Sequence, residues 1–89
     1  MQMFYNKQNI KLNFLSCYVK YFRNDNNLYF VNTLFDTDLE LNSTKEIIDL
    51  LLLELQRGVT TKNLLSILKK FSDANEELYV YMMQQGIIE

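Results

Sequence analysis

Few residues in this sequence are equipped for chemistry. Its 89 residues include no histidine, which removes the commonest general base and the commonest metal ligand. Cys17, the single cysteine, has no imidazole partner to make it a thiolate nucleophile. Its place in an alternating strand pattern predicts a small buried apolar residue. One cysteine also forms no internal disulfide and no cysteine-rich metal site. Gly58 and Gly86 are the only glycines, and both read as helix ends, so no glycine-rich phosphate loop is expected. Two acid pairs could do acid–base work or hold calcium. Asp36 and Asp38 fit a turn, whereas Glu76 and Glu77 fall in the first turn of a helix, where negative charge complements the macrodipole. The expectation is a non-catalytic chain without cofactor or metal.

Charge narrows the partners. Eleven acids face nine bases for a net charge of −2, and Lys69-Lys70 is the only adjacent basic pair. Nucleic-acid binding rests mainly on neutralising phosphates, so a mildly acidic chain without a basic stripe is a poor candidate. The aliphatic stretch Ile47 to Leu55, broken by Asp49 and Glu54, falls far short of the roughly 20 residues that span a membrane. The first seven residues lack the apolar core of a signal peptide. The lone cysteine and these absences lead to an expected cytoplasmic location.

The elements follow from periodicity. Residues 1–13 are polar with interspersed apolar residues, which suits an arm or an extra strand; residues 14–89 read as one domain. Phe14 to Phe22 alternates, with Leu15, Cys17, Val19 and Tyr21 on one face. Arg23 to Asn27 is a turn, Leu28 to Phe35 a second strand, Asp36-Thr37 another turn and Asp38 to Asn42 a third strand, with Leu39 and Leu41 inward and Glu40 outward. The period then becomes helical. Ser43 with Glu46 reads as a capping box ahead of Ile47, Ile48, Leu51, Leu52 and Leu55, and Gly58 closes that helix. Thr60 is the expected N-cap of a second helix, to Phe71, with Leu64, Leu65, Leu68 and Phe71 inward. Asp73 with Glu76 is expected to cap a third, Ala74 to Gln85, and Ile87 and Ile88 to fold back onto the core. The fold class is α+β: a three-stranded antiparallel meander followed by three α-helices, a winged-helix-like order with its strands first.

The segment Asp38-Leu39-Glu40-Leu41-Asn42-Ser43-Thr44, then Ile47-Ile48 and Leu51, then Gly58-Val59-Thr60, and finally Gly86-Ile87-Ile88, resembles the PqqD-like domains, also called RiPP recognition elements. The resemblance runs from about Cys17 to Ile88. Lys45 departs from it, standing where the family usually has a small residue, and residues 1–13 lie outside it. It implies a domain that binds the leader segment of a ribosomally made precursor peptide. The leader would add as a fourth strand to the third strand's edge, pack against helix three, and be presented to a modifying enzyme such as a radical-SAM protein, a cyclase or a leader peptidase.

Local physics is compatible with that implication. The last strand of a meander lies at an edge, and an edge strand offers unpaired amides and carbonyls that an extended peptide can satisfy. The expected peptide-binding residues are Asp38, Leu39, Glu40, Leu41 and Asn42 on the strand, with Glu76, Tyr79, Val80 and Met83 on helix three. Leu78, Tyr81 and Met82 are expected to face the core. Glu40, Glu76 and Glu77 would attract a basic ligand residue. Two other classes compete: a winged-helix DNA-binding regulator, motivated by the paired helices and by Lys62, Lys69 and Lys70, and a small adaptor or inhibitor using the same apolar face. A monomer or a weak edge-paired dimer is expected.

Overall fold

The computed structural model describes residues 11–89. Its chain order is β1 (Leu12–Asn13), β2 (Val19–Arg23), β3 (Asn27–Asn32), β4 (Thr37–Asn42), α1 (Lys45–Arg57), β5 (Val59–Thr60), α2 (Thr61–Leu68) and α3 (Asn75–Gln84). Strands β2, β3 and β4 form the antiparallel meander in that order, with three helices after it, so the fold is α+β as the periodicity predicts. Of the expected arm or strand at residues 1–13, residues 1–10 lie outside the described part.

One face of the sheet carries Leu28 and Phe30 from β3 and Leu41 from β4, all buried. Against them pack Ile48, Leu51, Leu52 and Leu55 of α1, Leu64 and Leu68 of α2 and Met82 of α3. The four α1 residues recur at helical spacing, so a single stripe meets the sheet. Thr44, not Ser43, is the N-cap of α1, its hydroxyl accepting from the Ile47 amide at 3.4 Å. Ser43 instead extends the sheet ladder, its amide donating to the Asn26 carbonyl. Gly58 ends α1 at φ 93°, a conformation that is cheap only without a side chain. A β-carbon there would also lie 2.6 Å from the Phe14 ring. Thr60 caps α2 through the Asn63 amide, and α2 stops at Leu68 rather than running to Phe71.

The expected first strand starts later than its alternation implies. At Ser16 the chain turns: the Val19 amide donates to the Ser16 carbonyl and the Tyr18 amide to the Ser16 hydroxyl. Residues 12–16 join other partners. Leu12 and Asn13 pair with Thr60 and Val59, Leu15 bridges Ile88, and Phe14 and Glu89 exchange two backbone hydrogen bonds of 2.8 Å. Cys17 sits on this turn and is exposed, which corrects its expected burial. A period of two continued through a turn looks the same in sequence as one strand.

Helix α3 begins at Asn75 without a side-chain cap. Asp73 is exposed and does not cap it; Ser72 takes the Ala74 amide, and the Asn75 side chain donates to the Leu65 carbonyl. After Gly86, at φ 71°, Ile87 and Ile88 fold back and are buried. Asn32 ties this corner to the sheet. Its amide donates to the Gly86 carbonyl at 2.8 Å, and its oxygen accepts from the amides of Leu34 and Phe35 in the β3–β4 turn. No helix among the described residues is long and apolar enough to cross a membrane.

Candidate functional site

Strand β4 is an edge: among the described residues it pairs with β3 alone. The hydrogen-bond phase of the sheet shows which of its groups are free. Antiparallel pairs alternate between bonded and non-bonded residues. Asn24 donates to Asn27 and Thr33 to Tyr18, so the odd-numbered residues of β3 face β2. Its even-numbered residues therefore face β4, where the register sets Leu28 opposite Leu41 and Phe30 opposite Leu39, in phase with the bond from Ser43 to Asn26. It follows that Asp38, Glu40 and Asn42 direct their backbone N–H and C=O groups away from the sheet, to the open edge.

The side chains of β4 follow the expected alternation. Leu41 is buried and Leu39 half-buried against the core, while Asp38, Glu40 and Asn42 are exposed on the outer face. Beside Glu40 on that face stands Tyr29, and beyond Tyr29 stands Phe22, 59% exposed. Glu40 raises the pKa of the Tyr29 phenol, first as hydrogen-bond acceptor and then as a neighbouring negative charge. This aromatic row has a sequence signal, because Phe22 and Tyr29 both have the outward parity. The hairpin register that brings them together does not show in either strand alone.

On α3 the expected residues divide. Glu76 and Val80 lie on the outward stripe with Glu77, Tyr81 and Gln84, and these five line a shallow depression of about 430 Å³. Tyr79 and Met83 pack inward against the core instead. The Tyr79 hydroxyl donates to Asn13 Oδ1 at 3.1 Å, and Met83 Sδ lies 3.9 Å from the Lys11 ammonium. Tyr81, expected in the core, is 41% exposed. Apolar residues surround α3 on nearly all sides, so its periodicity does not single out a buried face. Contact with α2 chooses that face. No residue of β4 lines the depression, and α3 meets the strand near its start, where the Thr37 hydroxyl donates to the Gln85 carbonyl at 3.2 Å.

Asn13 is a structural centre that the sequence does not announce. It is fully buried, its amide donating to the Val59 carbonyl at 3.1 Å and to Thr61 Oγ1 at 3.2 Å while its oxygen takes the Tyr79 proton. No protein-family description, curated protein or solved structure matches the chain.

Proposed function

We propose that this chain is a non-catalytic binding module that receives an extended peptide as a fourth strand along β4. On the strength of the PqqD-like pattern, the peptide is the leader segment of a ribosomally made precursor, presented in the cytoplasm to a modifying enzyme such as a radical-SAM protein, a cyclase or a leader peptidase. The observation that supports this reading best is the β4 edge, unpaired among the described residues, with outward-directed groups at the alternate positions Asp38, Glu40 and Asn42. Strand addition satisfies such groups directly. On α3, Glu76 and Val80 line a depression that no residue of β4 reaches, and Tyr79 and Met83 are committed to internal packing.

A proline scan of the edge tests the reading. Proline removes an amide and is tolerated in a strand only where that amide faces away from the sheet. Glu40→Pro removes an outward amide and should leave the fold intact by circular dichroism while abolishing leader binding. Leu39→Pro removes an amide bonded to β3 and should unfold the sheet. A folded Glu40→Pro variant that binds the leader of a precursor encoded beside its gene with wild-type affinity would rule out strand addition at β4.

A winged-helix DNA-binding regulator fits less well. Lys62, Lys69 and Lys70 are exposed at α2 and its end, but the outward stripe of α3 carries Glu76 and Glu77 and no base. An adaptor or inhibitor that docks on the α3 depression is the remaining alternative; a pulled-down partner whose binding is lost on Val80→Glu but kept in Glu40→Pro would establish it.

A further inference from the structure

The residues that present free backbone groups on β4 are also the ones that carry its acids. Asp38 and Glu40 point their carboxylates to the outer face and their amides and carbonyls to the open edge. A strand laid along that edge would bond to these same residues, so its side chains opposite them would lie directly beside two negative charges. Directly opposed cross-strand residues interact most strongly, favourably for opposite charges and unfavourably for like charges. The alternate side chains of the added strand would turn to the inner face beside Leu39 and Leu41, where apolar groups extend the core. We propose that the ligand of β4 is a strand whose sequence alternates cation–apolar–cation, with lysine or arginine set against Asp38 and Glu40. This deepens the strand-addition reading and rests on it.

The same charges disfavour a second copy of β4 as competitor. The fullest antiparallel self-pairing sets Glu40 against Glu40, and the register shifted by two sets Asp38 against Glu40, both repulsive. Exposed Tyr29 lies beside Glu40 on the same face, where a long cationic side chain leaning over Glu40 would meet its ring. The other sheet edge differs. On β2 the outward-directed residues are Val19, Tyr21 and Arg23, and the Val19 amide is already bonded to Ser16, so β2 offers one fewer donor and no acid.

The probe is a labelled peptide of about nine residues, with two lysines at alternate positions, valine between and beside them, and serine or threonine elsewhere. Its controls have the same composition with the lysines adjacent, or glutamate in place of lysine. Binding is read by fluorescence anisotropy and by amide shifts of the full chain. The alternating peptide should bind, weaken as salt rises, shift amides of residues 37–42, and lose about threefold to tenfold affinity on combined Asp38→Asn and Glu40→Gln substitution. Failure of this peptide to bind, equal binding by either control, equal affinity for the neutralised variant, or shifts confined to β2 would each overturn the proposal. The native leader separates the two readings. A leader that binds at β4 without salt dependence keeps strand addition and sinks the charge pattern. A designed peptide that binds where the native leader does not keeps the charge pattern and sinks the leader assignment.

Discussion

Asn13 uses both its side-chain donors and its acceptor inside the fold. Removing it takes away the side-chain donor to the Val59 carbonyl and the acceptor of the Tyr79 hydroxyl, which keeps only Thr61 Oγ1 at 3.4 Å. A hydrogen bond contributes about 1 kcal/mol net, so Asn13→Ala, which removes three, should destabilise by about 3 kcal/mol in urea unfolding. Tyr79→Phe, which strands only the Asn13 oxygen, should cost about 1 kcal/mol. The two effects should not add, because both substitutions break the same bond. An Asn13→Ala variant as stable as the wild type would show that this network is dispensable. Sequence reading takes Asn13 for the end of an arm because asparagine in a polar stretch carries no periodic signal. Its burial comes from the convergence of β1, β5 and α3.

Between elements, Asp49 of α1 holds the β2 end of the sheet. It pairs with Arg23 and, one helical turn back, with Lys45. The Arg23 guanidinium first, then the Lys45 ammonium, hold its carboxyl below the ordinary value of 3.8. The carboxylate is therefore favoured in the folded chain. Its contribution to stability is present above the ordinary carboxylate range and is lost as pH falls through the lowered folded-state value. Melting temperature measured down the acid limb should fall less steeply in Asp49→Asn than in wild type, and identical slopes would remove Asp49 from the account. Much at this scale is legible in sequence: the meander, the α1 stripe, the stop at Gly58 and the Thr60 cap all follow from local pattern. The N-cap of α1 is displaced by one residue, because Ser43 is drawn into the sheet ladder by Asn26. The inward face of α3 is misassigned at Tyr79, Tyr81 and Met83, because a helix apolar on most sides takes its orientation from its neighbours.

Across the whole molecule the two ends of the described chain close on each other. Phe14 and Glu89 exchange backbone bonds, Ser16 donates to Ile87, and Leu15 bridges Ile88. Ile87 and Ile88 are 0% and 2% exposed. Burying an aliphatic side chain of that size is worth about 1.5–3 kcal/mol, and a domain this small has only about 5–15 kcal/mol in total. A chain ending at Gly86 should therefore lose its sharp thermal transition, with Phe14 and Ser16 amides exchanging freely with solvent. A cooperative melt in that truncation would show the closure to be secondary. What the sequence determines by itself is what short-range physics decides: alternation for β3 and β4, helical spacing for α1 and α2, turn and cap residues between them, and the edge position of the last strand in a meander. Tertiary structure decides where a segment without a strong period goes. It sends residues 12–16 to β5 and the C-terminal tail, exposes Cys17, turns Tyr79 inward and Tyr81 outward, and sets Glu40, Tyr29 and Phe22 in one row. Those outcomes depend on contacts between residues far apart in the chain, and such contacts leave no local pattern to read.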